Sequence, residues 1–220
     1  MLKAVIFDFD GVIVNSEPLH YQVEKEMFRE KGMDISYQEY CEYAGISEAE
    51  TYQLLSQKYN VPLDAAQMLP DKIERFKLMI ETLKELPVVE GVEDLIKDLF
   101  SNKIKLCVAT SGTYQIAEAM LKKLHLWHFF DFTIAGNQLE KAKPDPEIFN
   151  KARQRLKMTK KECIIIEDSY NGIKGAIAAN IPVVALDYPD SLPKGRVKNI
   201  KKLKNINFKQ INKIHDELWN

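Results

Sequence analysis

Asp8 and Asp10 stand one residue apart at the end of an apolar run, in the stretch KAVIFDFDGVIVNSE that spans residues 3–17. Two carboxylates that close repel each other unless a cation or a proton intervenes. On an extended backbone both side chains leave on the same side. One can then remain a bare anion able to attack phosphorus, while its neighbour holds a proton for a reacting oxygen. Asp8 is the candidate nucleophile and Asp10 the candidate acid/base, a role typically worth about 10²–10⁴ in rate. Taken alone, Asp-x-Asp equally fits a turn or a helix cap.

Three later stretches carry groups of matching chemistry. VATSG supplies Thr110, Ser111 and Gly112 just before a helical pattern, KAKPDPEIF supplies Lys143, and IIIEDSYNGIKGA supplies Glu167 and Asp168. Carboxylates with few neutral ligands suit a hard cation such as Mg²⁺, for which Asp8, Asp10, Glu167 and Asp168 are the candidate ligands. Hydroxyls, helix-start N–H groups and a lysine suit a phosphate, which makes Thr110, Ser111, Gly112 and Lys143 the candidate phosphate-binding set. Each stretch singly also reads as an N-cap or a helix entry. Their joint appearance, in this order and each at the end of an apolar run, favours a shared site.

Those runs are the elements that must position the groups. AVIFDF (4–9), IKLCVAT (104–110), FTIAG (132–136), CIIIED (163–168) and IPVVAL (181–186) predict five buried strands. Helical spacing follows at Val92, Leu95, Ile96, Leu99 and Phe100, at Ile116, Met120, Leu121 and Leu124, and at Ile173, Ala176, Ile177 and Ala178. Strand–helix alternation of this kind predicts an α/β fold, a Rossmann-like doubly wound parallel sheet. Ligands of such sheets bind outside the carboxyl ends of the strands, where the polar groups above would lie. Between the first two strands lie about ninety residues, far more than one crossover needs. Helical spacing at Leu19, Val23 and Met27, at Leu54, Leu55 and Tyr59, and at Ile73, Phe76, Ile80 and Leu83 fills that interval, with breaks at Gly32, Gly45 and Pro62. The expected organisation is a core of residues 1–15 and 87–220, with residues 16–86 as an inserted helical bundle.

Composition narrows the partners. The 220 residues hold 31 Lys+Arg against 32 Asp+Glu, a net charge of −1, so nothing global advertises nucleic acid or a membrane surface. The basic run KGRVKNIKKLKNINFK is expected to be a solvated loop and edge. Cys41, Cys107 and Cys163 form neither a metal pair nor a disulfide framework, and no apolar run approaches the ~18 residues of a membrane span. With no signal-peptide pattern at MLKAVIFDFDG, a cytoplasmic protein is expected. His125 and His128 lack a third ligand nearby and are expected to pack rather than to hold a metal.

Taken together, DFDGVIVNSE, VATSG, KAKPDPEIF and IIIEDSYNGIKGA resemble the four ordered motifs of the haloacid dehalogenase superfamily, and within it the β-phosphoglucomutase-like phosphatases. The resemblance covers essentially the whole chain, with the inserted bundle as its cap. It implies a Mg²⁺-dependent phosphatase acting on a small phosphomonoester such as a sugar phosphate through an aspartyl-phosphate on Asp8. Asp10 would be general acid/base, and Mg²⁺ would be held by Asp8, the Asp10 carbonyl and Asp168, with Glu167 in or near its shell. Asp10 argues against a true dehalogenase, which needs neither a proton donor there nor a metal. In the cap, His20 and Lys72 resemble substrate residues of the mutase, although His20 also fits a packed residue and Lys72 an exposed helix charge.

YAGISEAET (43–51) resembles the substrate loop of the family, but Glu48 stands where the mutase carries an arginine for a distal phosphate. An anion there opposes a second phosphate, and Arg75 lies on another helix. The balance therefore favours a phosphatase, with a β-phosphoglucomutase interconverting glucose 1-phosphate and glucose 6-phosphate as the alternative. A phospho-accepting receiver is disfavoured, because the acidic pair sits on the first strand and a helical insert follows it. The expected partner is a small phosphate ester, with no nucleic acid and no membrane, and the chain is expected to be a monomer.

Overall fold

Apolar and β-branched runs form the strands β1 (Ala4–Phe7), β2 (Lys105–Thr110), β3 (Phe132–Ala135), β4 (Cys163–Glu167) and β5 (Val183–Leu186), as predicted. A sixth, β6 (Val197–Ile200), was not expected as a strand; it lies inside the basic run and pairs with β5 at the sheet edge. A computed structural model describes residues 1–43, 46–188 and 193–219. The pairings between these strands are parallel, in the order β3-β2-β1-β4-β5-β6, so β1 is central with β2 and β4 beside it.

Pleat alternation sorts the strand residues between two apolar layers. Val5, Phe7, Val108 and Ile166 face one side, where α5 (Val92–Ser101), α6 (Tyr114–Lys123) and α9 (Phe208–Trp219) contribute Leu95, Met120 and Ile211. Ala4, Ile6, Cys107 and Ile165 face the other, against Phe149 of α7 (Glu147–Leu156) and Ile173 of α8 (Tyr170–Ala179). A central strand buried on both faces has no polar side to alternate with, which is why the strands read as unbroken apolar runs. Two periodic positions fall differently from expectation: Phe100 is among the exposed large hydrophobics, and Ala179 rather than Ala178 is buried on α8.

Between β1 and β2 the chain forms α1 (Glu17–Glu30), α2 (Tyr37–Cys41), α3 (Glu48–Tyr59) and α4 (Ala65–Thr82). Its two crossings are tied together, the Asn15 N–H donating to Pro87 O at 2.8 Å and the Val89 N–H to Ile13 O at 3.0 Å. Inside the insertion Met27, Phe28, Tyr52, Leu55 and Phe76 are buried, whereas Leu54, expected on the apolar face, is exposed. Gly45, expected as a break, lies outside the described residues. Among the described residues no helix is long and apolar enough to cross a membrane.

The insertion is also fastened to the sheet's helices. Lys123, in the last turn of α6, donates to Ile80 O at 2.5 Å and Leu83 O at 2.6 Å, carbonyls left open where α4 ends. Lys123→Met should therefore lower stability by about 1–2 kcal/mol, read as a shift of the urea midpoint at unchanged slope.

Candidate active site

β1 delivers Asp8 and Asp10 to the carboxyl edge of the sheet, β2 delivers Thr110, and β4 delivers Glu167 and Asp168. Lys143 arrives from the segment between β3 and α7. Its ammonium lies between two carboxylates, donating to Asp8 Oδ1 at 2.7 Å and Glu167 Oε2 at 2.7 Å, with a third bond to Ala109 O at 3.1 Å. All three side chains are buried.

Glu167 accepts from several protein donors. Besides Lys143, it accepts from the Asp168 N–H at 3.1 Å, the Ser169 N–H at 3.0 Å and the Ser169 hydroxyl at 2.8 Å. Ser169 in turn caps α8 by accepting from the Gly172 N–H at 3.0 Å. Gly172 leaves the carboxylate its space, since a Cβ there would lie 2.0 Å from Glu167 Cδ. The Glu-Asp-Ser turn is therefore a helix cap and part of the site at once.

Asp10 has a different environment. The Thr110 hydroxyl donates to its Oδ2 at 3.1 Å, the Ser16 hydroxyl donates to Oδ1, and His20 Nε2 lies 3.5 Å from Oδ1. The same Thr110 oxygen accepts from the Gly112 N–H at 2.9 Å, so it serves the site rather than capping α6, whose N-cap residue is Thr113. Ser111 and Gly112 line the cavity in front of Asp8 and Asp10. His20 packs against Phe76, with ring centroids 4.5 Å apart, so it is both a packed residue and a neighbour of Asp10.

These surroundings separate the two aspartates. Burial, then the charge of Glu167, pushes the Asp8 carboxyl well above its ordinary range, and Lys143 offsets this only in part. Burial acts on Asp10 too, but the bonds from His20, Ser16 and Thr110 prevail and hold it at about 2. Asp168, raised by burial and by Glu167, reaches about 8. Asp8, Glu167 and Asp168 each bring a carboxylate oxygen within 4.8 Å of the others. An all-oxygen donor set with surplus negative charge fits a hard divalent cation. Gly11 keeps that space open, because a Cβ there would lie 1.8 Å from Asp168 Oδ2 and its φ of +76° suits glycine.

Above the carboxylates the insertion closes a cavity of about 460 Å³. Lys72 lines it but is not the exposed helix charge that one reading expected: it is 2 % exposed and paired with Glu24 Oε2 at 2.9 Å and Glu48 Oε1 at 2.5 Å. Arg75 points elsewhere, to Glu30 at 2.6 Å and Asp71 at 2.8 Å. Of the loop expected to contact substrate, Tyr43, Ile46, Glu48 and Thr51 line the cavity, while Ala44 and Gly45 lie outside the described residues. Sequence reasoning missed Ser16, Glu24 and the tyrosines Tyr40 and Tyr52 that bond Glu24. The available signal was Glu24 itself, a charge set directly beside the apolar stripe of Leu19, Val23 and Met27.

His125 and His128, expected to pack, are both exposed; His128 rests on Phe129 with centroids 4.0 Å apart.

Comparison with known proteins gives a consistent picture. A family model described as haloacid dehalogenase-like hydrolase matches residues 5–186. A phosphorylated carbohydrates phosphatase of Thermotoga maritima is 30% identical over 82% of this chain and 82% of its own length. A fructose-1-phosphate phosphatase of Escherichia coli is 28% identical, over 82% of this chain and 94% of its own. Among solved structures, a β-phosphoglucomutase from Clostridium difficile superposes with a TM-score of 0.86 at 26% identity, covering 99% of this chain and 98% of that one.

Proposed function

The chain belongs to the haloacid dehalogenase-like hydrolases, and from that membership we propose that it is a Mg²⁺-dependent phosphatase of a small sugar phosphate, working through a phosphoaspartate on Asp8. The observation that carries this is the Asp8–Lys143–Glu167 chain of 2.7 Å contacts at the floor of the same cavity that Asp10, Ser111 and Gly112 line. The relatives named as phosphatases of phosphorylated carbohydrates and of fructose 1-phosphate support the substrate class.

Residues 1–15 and 87–220 act as the catalytic core and residues 16–86 as the cap. Lys143, Thr110 and the N–H groups of Ser111 and Gly112 bind and orient the phosphoryl group over Asp8. A Mg²⁺ ion held by Asp8, the Asp10 carbonyl and Asp168 would supply positive charge to the phosphoryl oxygens and keep Asp8 ionised. Glu167 orients Lys143 and the turn that carries Asp168.

An Asp8 oxygen attacks phosphorus, the bond to the leaving oxygen breaks, and Asp10 delivers a proton to that oxygen. Asp10 carries that proton from the water of the preceding turnover or takes it from solvent as the phosphate arrives, whose like charge raises its proton affinity. In the second half a water attacks phosphorus and gives its proton to Asp10. The bond to Asp8 breaks, and inorganic phosphate and free Asp8 result. Ser16, Thr110 and His20 hold the Asp10 carboxylate in place for both transfers.

Likeness to a β-phosphoglucomutase favours a second reading, in which the phosphoryl returns to a sugar. That reaction needs a cap cation for the distal phosphate. Here Lys72 is already neutralised by Glu24 and Glu48, which favours hydrolysis. A panel of phosphorylated metabolites assayed for released phosphate tests the proposal. We expect release from a sugar monophosphate that EDTA abolishes and Mg²⁺ restores. Conversion of β-glucose 1-phosphate with a trace of bisphosphate to hexose 6-phosphate, without free phosphate, would establish the mutase instead.

A further inference from the structure

The cap end of the cavity carries a buried charge cluster that phosphoryl transfer does not use. Lys72 of α4 lies between Glu24 of α1 and Glu48 of α3. Glu24 is saturated, since it also accepts from the Tyr52 hydroxyl at 2.7 Å and from the Tyr40 hydroxyl. Glu48 is not. One of its oxygens holds Lys72 at 2.5 Å, and among the described residues the other has no partner. The side chain is 23% exposed and lines the cavity. Lys72 likewise has one N–H beyond the two it gives to carboxylates. The cavity is therefore lined by a part-exposed carboxylate with a buried ammonium beside it, in a cluster whose charges sum to one excess negative.

That pairing distinguishes leaving groups by chemistry. A hydroxyl both donates and accepts, so sugar hydroxyls satisfy Glu48 and Lys72 together. A phosphate or carboxylate at the same place only accepts, and it faces two carboxylates against one ammonium. We propose that Glu48 is a specificity-determining residue that accepts a hydrogen bond from a leaving-group hydroxyl, and that the site selects phosphomonoesters of uncharged sugars or polyols over those bearing a second phosphate or a carboxylate. The proposal rests on the phosphatase reading and narrows its substrate class.

Sorbitol 6-phosphate and 6-phosphogluconate differ at the far end as CH₂OH against COO⁻, and so form a matched pair. Wild-type kcat/KM should favour the polyol ester by roughly 10–100-fold. In Glu48→Gln the ratio should fall to within a few-fold, with the change in KM rather than kcat because the contact is remote from phosphorus. A ratio taken within one variant cancels any loss of folded protein. Dissociation constants for the same pair, measured calorimetrically on Asp8→Asn with Mg²⁺, should show the same preference without turnover. Equal wild-type ratios, a preference for the carboxylate, or a ratio unmoved by Glu48→Gln would overturn the role of Glu48 while leaving hydrolysis intact. Selective binding to Asp8→Asn with no wild-type hydrolysis of either ester would support Glu48 and contradict the phosphatase reading.

Discussion

Asp8→Asn should stop phosphate release while leaving the protein at least as stable as before. Losing a covalent nucleophile typically removes on the order of 10⁴–10⁶ in kcat, because the remaining groups cannot substitute for the missing bond. The stability half follows from the site's electrostatics. Asp8 is buried beside Glu167 and near Asp168, and its carboxyl is raised well above the ordinary range. A carboxyl whose folded-state pKa is raised opposes folding once the pH exceeds its unfolded pKa, so at neutral pH its charge is a cost. Asparagine keeps the shape and removes that charge, and Lys143 retains Glu167 and Ala109 O as partners. Phosphate release and a thermal melt on the same preparation check both halves. Wild-type turnover would reject Asp8 as nucleophile, and a large fall in melting temperature would reject the account of crowding.

Lys143→Met should fail in both respects. The lysine is 4% exposed and bonds Asp8 and Glu167 at 2.7 Å each, so its removal leaves two buried carboxylates facing each other. Breaking a buried ion pair by deleting one partner costs about 3–5 kcal/mol. Loss of a preorganised cation from the phosphoryl site should lower kcat by a further 10²–10³ or so in whatever folded protein remains. Urea denaturation gives the first quantity and active-site-normalised turnover the second. A variant as stable as wild type would contradict the buried contacts of Lys143 as a source of stability. Asp8→Asn and Lys143→Met thus move stability in opposite senses although the two residues touch, which a purely steric account of the site does not predict.

The core was legible because its chemistry is tied to strand ends. Asp8, Thr110, Lys143 and Asp168 follow apolar runs whose only comfortable place is a parallel sheet, and such a sheet brings its carboxyl ends to one rim. What escaped has physical reasons. The strand β6 reads as polar because edge strands carry lysine, here Lys198, against unwanted pairing. The cap cluster joins Glu24, Glu48 and Lys72 from three helices, and helical spacing fixes which residues share a face without fixing which faces meet. Lys72 could be read as exposed because nothing in its own helix announces two carboxylates arriving from others. The hold on Asp10 was hidden for the same reason: it depends on Ser16 and His20, whose side-chain contacts spacing does not fix.

The central claim is a covalent bond between Asp8 and phosphorus, and chemical trapping tests it most directly. The enzyme is mixed with a turned-over sugar phosphate and Mg²⁺, quenched in acid within the first turnover, and treated with borohydride. An acyl phosphate is reduced to the alcohol, so peptide mass spectrometry should find homoserine in place of aspartate at position 8, and none without substrate. Unmodified Asp8 in a sample that has released phosphate, or a reduced carboxyl at any other position, would contradict the mechanism.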